Sequence, residues 1–260
     1  MMKFKIPKIF SRECPSDLPS NAVIVASYPK SGSTWLSNLL LCYFKPKPWN
    51  FYDYKHSVQE WYGPREISEH RHLTLIKTHQ PYCNSFPEIP IIHLIRDPRN
   101  VVVSYYEGLR KHGHIDIDLS LSEFVKEFIN GIRFDGFGSW NFNVGSFDKR
   151  KKGIIYVRYE DLESNSYEVL KSIINFLNIK PLQENVLNEC LEFCSRDSMR
   201  KNQLKNQKEI DSFNNALPGF EDQLFTSSKT RDWKDSLNHT DSYHIISTFK
   251  KEINKFGYYV

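Results

Sequence analysis

The sequence predicts an α/β fold in which a central parallel β-sheet is flanked by helices. Short apolar runs alternate with helix-like segments along the chain, which is typical of parallel strands joined by crossover helices. A loop with one glycine and three hydroxyl side chains follows the first apolar run, and such a loop can bind phosphate at the start of the next helix. At 260 residues, a single domain spanning 1–260 is expected.

Four apolar runs have the length and composition of buried strands. They are "NAVIVASY", "HLTLIKT", "IPIIHLIRD" and "GIIYVRYED". Because each is short and nearly continuous in apolar residues, both faces of the predicted sheet should be covered.

The predicted helices follow these strands. "TWLSNLLLCYF" continues from the glycine loop, and "PRNVVVSYYEGLRKHG" has a proline near its first turn and a glycine near its end. Further helices are predicted for "LSEFVKEFINGI", the segment after "FGSW", "LESNSYEVLKSIINFLN", "LQENVLNECLEFCS" and "TDSYHIISTFKKEINKFGY". The polar segment of about residues 200–230 lacks periodicity and is predicted to be a mobile segment or lid.

Composition narrows the class of protein. A formal net charge of +4 is too mild to indicate nucleic-acid binding, although it suits a polyanionic small molecule. The five cysteines are scattered and contain no CxxC pair, which favours a reduced compartment over a disulfide framework. "MMKFKIPKIF" has no leader-like apolar run, and no run reaches membrane-spanning length, so we expect a cytoplasmic protein without membrane association.

The glycine loop, "YPKSGSTW", has the chemistry of an anion site. Gly32 lets the backbone approach a phosphate, Ser31, Ser33 and Thr34 offer donors, and Lys30 adds a full charge. The order differs from GxxxxGK[ST], because the lysine precedes the glycine. No strand ends in an obvious magnesium-holding aspartate, so the sequence predicts phosphate binding without a metal.

Together with this loop, several segments resemble the cytosolic-type sulfotransferases, which transfer a sulfonate from 3′-phosphoadenosine 5′-phosphosulfate (PAPS) to an acceptor. "YPKSGSTW" resembles the family's 5′-phosphosulfate loop and "LIKTHQP" resembles the segment with its catalytic histidine. "IRDPRNVVVSYY" resembles the 3′-phosphate segment and "YVRYEDL" the strand end with an adenine-side tyrosine. "FGSW" and "RDWK" also match, and the matches keep the family's order from residue 28 to residue 234.

The resemblance implies a set of contacts to PAPS and to its product, 3′-phosphoadenosine 5′-phosphate (PAP). Lys30 would hold the 5′-phosphosulfate, and Trp35 would stack on adenine. Arg96 and Ser104 would hold the 3′-phosphate, and Tyr159 would contact the adenine side. The full implied set is Lys30, Ser31, Gly32, Ser33, Thr34, Trp35, Arg96, Ser104, Tyr159, Ser195 and Met199.

Three residues would carry the chemistry. His79 would be the general base, since an imidazole with a pKa of about 6.5 can take a proton from an acceptor hydroxyl near neutral pH. Lys77, two residues earlier on the same face of an extended strand, could stabilise charge on the sulfonate. Lys30 would neutralise the bridging oxygen as the S–O bond breaks, in a direct in-line transfer.

Some positions depart from the family's pattern. The family carries Arg-Lys-Gly before Gly-Asp-Trp-Lys, and residues 226–228 are instead Thr, Ser and Ser. We therefore expect Lys229 or Arg231, with Arg231 favoured for its bidentate geometry, to replace the missing contact to the 3′-phosphate. Cys194 and Arg196 also differ from the family's residues in the segment that contains Ser195 and Met199.

The oligomeric state and the acceptor are less constrained. The family's dimer motif is missing, because Asn238, His239 and Tyr243 follow Lys234, so a monomer or a dimer built differently is expected. The acceptor would be a hydroxyl, or an amine, of a small molecule. The alternatives are a P-loop nucleotide kinase, a catalytically inactive nucleotide-binding protein and a carbohydrate sulfotransferase of the secretory route, the last disfavoured by the missing membrane anchor.

Overall fold

The structure is a computed structural model that describes residues 18–44, 57–61, 73–111, 113–132, 137–205 and 232–259. Its centre is a parallel sheet in the order β2-β3-β1-β4-β5. The strands are β1 (Ala22–Ser27), β2 (Val58–Glu60), β3 (Thr74–Thr78), β4 (Ile91–Ile95) and β5 (Ile154–Arg158). The predicted α/β class and the four predicted strands are confirmed, and β2 is a short additional strand at the edge.

Helices surround this sheet. They are α1 (Ser33–Phe44), α2 (Pro98–Lys111), α3 (Leu121–Asn130), α4 (Trp140–Ser146), α5 (Tyr159–Ser164), α6 (Ser166–Phe176), α7 (Glu184–Phe193), α8 (Arg196–Lys205), α9 (His239–Thr248) and α10 (Lys250–Phe256). Two short 3₁₀ turns, Phe147–Lys149 and Trp233–Asp235, complete the described elements. None of the helices in the described ranges is long and apolar enough to cross a membrane.

The alternation of side chains along β1 shows how the two layers are built. Val23 and Val25 belong to a buried cluster that includes residues of α1, α6 and α7. Ile24 and Ala26 belong to a separate cluster on the other side, which includes Phe147. Because successive residues of β1 enter different clusters, every residue of the strand is buried, as its continuous apolar sequence predicts.

Two predicted helices are interrupted. The segment "LESNSYEVLKSIINFLN" was expected to form one helix, but Asn165 ends the helical path after α5 and accepts a hydrogen bond from the Glu168 amide at the start of α6. The C-terminal segment divides at Phe249, which is fully buried between α9 and α10. In both cases the apolar periodicity continues across the break, so periodicity alone does not reveal it.

The predicted mobile segment is partly helical. Residues 200–205, at the start of the segment predicted to be a mobile segment or lid, belong to α8. The remainder of the segment, 206–230, lies outside the described residues.

The sheet topology brings the predicted motifs together. β1 lies between β3 and β4, so the chain passes to one side of β1 for β2 and β3 and to the other side for β4 and β5. The carboxyl ends of parallel strands meet at one edge, and ligands of open α/β sheets bind where the strand order reverses. The glycine loop follows β1 at this position, with His79 after β3 and Arg96 after β4.

Candidate active site

The loop between β1 and α1 presents backbone donors to a ligand. Its conformation requires left-handed backbone angles at Lys30 (φ 67°) and Gly32 (φ 95°). The amides of Trp35 and Leu36 both donate to the Gly32 carbonyl, at 3.0 and 3.2 Å. No backbone carbonyl among the described residues takes the amide hydrogens at positions 33 and 34, which lie at the positive end of α1 and can bind an anion.

Ser31 adds a buried hydroxyl to this loop. Its side chain is only 1% exposed, and its Oγ has no hydrogen-bond partner among the described residues. A buried hydroxyl without a partner costs free energy, and a ligand oxygen would remove that cost. The loop therefore fits the predicted 5′-phosphosulfate, because it offers hydroxyl and amide donors and the positive charge of the exposed Lys30. Ser33 is buried and Thr34 half-buried beside Ser31.

A glycine is needed at position 32 for two reasons: its positive φ and the close approach of the Tyr159 ring. A Cβ at this position would lie 2.7 Å from both Cδ2 and Cε2 of Tyr159, well inside van der Waals contact. Tyr159 is the first residue of α5 and is 3% exposed. The loop after β1 and the strand end after β5 are thus packed against each other through a glycine and a tyrosine ring.

Arg96 lies against the same ring. Its Cζ is 4.4 Å from the centre of the Tyr159 ring, and its Nη1 donates to the Lys30 carbonyl at 3.0 Å. The side chain is 7% exposed, and its Nε has no hydrogen-bond partner among the described residues. Burial lowers the pKa of the Arg96 guanidinium, while Tyr159 and Glu160 act in the opposite direction. An anionic group of a ligand would compensate this burial, as expected for the 3′-phosphate.

Ser104, the other predicted 3′-phosphate residue, is half-buried on α2. That helix begins immediately after the Arg96–Asp97 pair. Both Arg96 and Ser104 therefore follow the carboxyl end of β4 in the chain.

The predicted adenine-side residues share one cluster. The Trp35 indole Nε1 donates to the Cys194 carbonyl at 2.8 Å, which ties α1 to the junction of α7 and α8. The Trp35 and Tyr159 rings meet edge to face with centres 5.8 Å apart, and Met199 belongs to the same buried cluster. Ser195, half-buried at this junction, donates to the Ser198 hydroxyl at 2.8 Å.

His79 is held in one orientation by the main chain of β1. Its Nδ1 lies 2.8 Å from the Ser27 carbonyl oxygen and 3.3 Å from the Ser27 hydroxyl. Because a carbonyl oxygen only accepts, Nδ1 must carry the hydrogen, which leaves the lone pair of a neutral imidazole on Nε2. The structure thus favours the tautomer that a general base needs.

Two further residues contact His79. The Asn143 side-chain amide donates to the His79 carbonyl at 2.8 Å, and the Phe137 ring meets the imidazole edge to face with centres 5.9 Å apart. These contacts connect the histidine to the start of α4. An aromatic ring beside a candidate base provides an apolar wall for an acceptor.

The two predicted catalytic lysines have different settings. Lys77 is 8% exposed within β3, in register with Val25 of β1. Lys30 is exposed, and its Nζ lies 3.3 Å from the position that a Cβ on Gly108 of α2 would occupy. The Lys30 ammonium therefore lies close to the backbone of α2 at a residue that has no side chain.

Sequence reasoning missed Ser27, Asn143 and Gly108. The contact between Ser27 and His79 follows from the register of β1 against β3, in which Ala26 pairs with Thr78. That register is set by packing and carries no local sequence signal. Lys229 and Arg231, the predicted replacements at the 3′-phosphate, lie outside the described residues. Within the described ranges no three His, Cys, Asp or Glu side chains are grouped as metal ligands would be.

Comparison with solved structures identifies similar folds. Mouse sulfotransferase SULT7A1 complexed with PAP matches with a TM-score of 0.68 at 21% identity, over 91% of this chain and 85% of that one. Retinol dehydratase in a complex with retinol and PAP matches with a TM-score of 0.69 at 18% identity, over 91% and 82%.

Sequence comparison gives the family. Human sulfotransferase 1E1 is 28% identical over a gapped alignment 267 residues long, which spans 93% of this chain and 86% of that protein. Dog sulfotransferase 1B1 is 27% identical over a gapped alignment 259 residues long, which spans 89% of this chain and 83% of that protein. The sulfotransferase domain model matches residues 20–257, and the chain therefore belongs to the sulfotransferase family.

Proposed function

We propose that this sulfotransferase transfers the sulfonate of PAPS to a hydroxyl, or an amine, of a small-molecule acceptor, with His79 as general base and PAP as the nucleotide product. The observation that carries the proposal is the hydrogen bond from His79 Nδ1 to the Ser27 carbonyl, which leaves Nε2 able to accept a proton. This histidine lies at the same edge of the sheet as the anion-binding loop.

The described residues fit PAPS as the donor. The 5′-phosphosulfate would be held by Lys30, the hydroxyl and amide groups of residues 31–34 and the positive end of α1. The 3′-phosphate would be held by Arg96 and Ser104, and adenine by Trp35 and Tyr159. The Ser31 hydroxyl and the Arg96 Nε support this assignment, because both are buried donors that have no hydrogen-bond partner in the described part of the chain and that a phosphate oxygen would satisfy.

The transfer needs a proton acceptor and two positive charges, one for the bridging oxygen and one for the sulfonate. The acceptor oxygen forms a bond to sulfur and gives its proton to His79 Nε2, while the bond from sulfur to the bridging oxygen breaks and PAP leaves with the electron pair. Lys30 stabilises the negative charge that develops on the bridging oxygen, and Lys77 stabilises charge on the sulfonate. Since each charge has a partner in the protein, the proposed reaction uses no metal.

The acceptor is proposed to be a small, partly apolar molecule. The Phe137 ring beside His79 supports an apolar contact next to the base. Solved structures of retinol dehydratase contain retinol in one case and androsterone in another, each with PAP. We further propose a cytoplasmic protein, and a monomer or a dimer that does not use the family's motif.

The test is an acceptor panel of phenols, alcohols and amines with PAPS, read as PAP formed. The account predicts PAP formation that depends on an acceptor, persists in EDTA and fails with adenosine 5′-phosphosulfate, which lacks the 3′-phosphate. Tight PAP binding without turnover of any acceptor would favour an inactive nucleotide-binding protein. ATP-dependent activity abolished by EDTA and restored by magnesium would favour the kinase.

A further inference from the structure

A second arginine lies at the nucleotide end of the site. Arg196 is the first residue of α8 and follows the Cys194–Ser195 pair, whose first carbonyl accepts the Trp35 indole hydrogen. Its Cζ is 6.0 Å from the centre of the Tyr159 ring, the ring that Arg96 covers at 4.4 Å. Two guanidinium groups thus converge on one tyrosine.

Two positively charged guanidinium groups near one ring are stabilised by a negatively charged group. Burial is the main cause that lowers the pKa of the Arg96 guanidinium, and the charge of Arg196 lowers it further while Tyr159, Glu160 and Glu163 raise it. Arg196 therefore lies close enough to Arg96 to repel it. The positive end of α8 adds to the same region. Arg96 also keeps a buried Nε without a hydrogen-bond partner among the described residues. A dianion bound by both guanidinium groups would offset their repulsion and offer a hydrogen-bond acceptor to the Arg96 Nε.

The present partner of Arg196 is easily exchanged. Its Nη1 lies 3.3 Å from Oε1 of Glu163, and the two side chains are 24% and 38% exposed. An ion pair between side chains that are this accessible to solvent contributes little to stability. A phosphate offers a guanidinium two parallel charged hydrogen bonds, which are stronger than this contact.

We propose that Arg196 binds the 3′-phosphate of the nucleotide together with Arg96, exchanging Glu163 for the phosphate when the nucleotide enters. The inference rests on the proposed function, since it assumes a nucleotide with a 3′-phosphate. It gives a role to a residue that departs from the family's pattern, and it supplies a cation from the described part of the chain where residues 226–228 have none.

The experiment compares adenosine 3′,5′-bisphosphate with adenosine 5′-monophosphate, measured by titration calorimetry on the full chain. Arg196→Gln should weaken binding of the bisphosphate about 10- to 100-fold, as expected for charged hydrogen bonds, and change monophosphate binding less than about 3-fold. Arg200→Gln is the matched control, because Arg200 is an exposed arginine of the same helix. It should alter neither affinity by more than about 3-fold.

A second variant separates phosphate binding from a structural role. If Arg196 mattered only as the partner of Glu163, Glu163→Gln would weaken bisphosphate binding as Arg196→Gln does. The proposal expects the opposite: removing the competing carboxylate should leave bisphosphate affinity unchanged or improve it. Arg196→Lys should recover part of the affinity, since it restores the charge without the planar fork.

Several results would overturn the inference. Equal losses for both nucleotides in Arg196→Gln would assign the residue to the adenine side or to folding, and no loss for either would leave a surface ion pair. Both are distinct from failure of the proposed function, in which the unmodified protein itself would not prefer the bisphosphate over the monophosphate.

Discussion

Replacing Gly32 by alanine tests how the glycine loop and the nucleotide pocket depend on each other. Gly32 has a φ of 95°, and an added Cβ would lie 2.7 Å from two carbons of the Tyr159 ring. The variant Gly32→Ala therefore introduces backbone strain and a clash at once. Because the same ring is covered by Arg96, any displacement of the ring should reach the nucleotide contacts.

The backbone strain and the clash with Tyr159 each have an expected magnitude. An alanine held in left-handed backbone geometry costs about 1–2 kcal/mol. The added Cβ would lie 2.7 Å from the Tyr159 ring, whereas an ordinary contact is at least 3.4 Å, so either the loop or the ring must move apart from the other. Forcing extra volume into a packed site typically costs about 1–3 kcal/mol. We expect the free energy of unfolding to fall by about 2–5 kcal/mol and PAP affinity to fall at least about 10-fold.

The control is Gly113→Ala. Gly113 also has a positive φ, 66°, but apart from its chain neighbours no atom of the described residues lies within 4 Å of an added Cβ. Chemical denaturation of both variants should show the strain in Gly113→Ala and the strain plus the clash in Gly32→Ala, and PAP titration should show a loss only in Gly32→Ala. Equal destabilisation of the two variants, with unchanged PAP affinity in both, would refute the role assigned to the Gly32–Tyr159 contact.

Three further predictions concern the charge of Lys30, the missing side chain at Gly108 and the protonation of His93. Lys30→Ala should lower kcat at least about 100-fold while weakening PAPS binding less than about 10-fold, because the bridging charge exists only in the transition state; equal losses in steady-state and binding measurements would make Lys30 a binding residue only. Gly108→Ala places a Cβ 3.3 Å from the Lys30 Nζ. It should therefore raise the free energy of unfolding by up to about 1 kcal/mol through helix propensity yet slow turnover several-fold, and a variant that is stabilised but fully active would contradict this positioning. Burial, with a smaller contribution from a nearby lysine, lowers the pKa of His93 to about 3. The unfolded chain then binds a proton below about pH 6.5 that the folded chain does not, so His93 should cost about 2 kcal/mol of stability at pH 5 relative to pH 8. In denaturation at both pH values, His93→Leu should lose that share of the pH dependence, and an unchanged slope would show that His93 is protonated in the fold.

The sequence predicted the strands that carry strong local signals. β1 and β4 are apolar except for Ser27 and His93, and both strands are buried along their whole length. β2 was not predicted, because "VQE" has no apolar run and becomes a strand only by pairing with β3, where Val58 lies opposite Leu75. The helix break at Asn165 was also missed, since a side-chain cap competes with a helical pattern that continues on both sides.

Some residues of the candidate site were likewise predictable from local sequence, and others were not. The donors of the glycine loop were predictable because they are adjacent in sequence and their chemistry is local. The Ser27 carbonyl that fixes the His79 tautomer was not, because it lies 52 residues away and depends on strand register. The sequence shows Arg196 only as a departure from the family's pattern, because its relation to Arg96 depends on how α8 and β4 lie around Tyr159.

The kinetics of His79→Ala test the central claim most directly. On an aliphatic alcohol acceptor, the account predicts that kcat falls at least about 100-fold while the dissociation constant for PAPS stays within about 3-fold of the unmodified protein. His244→Ala, which removes an exposed histidine of α9, is the control and should leave both values unchanged. A kcat for His79→Ala within about 3-fold of the unmodified protein would contradict the assignment of His79 as general base.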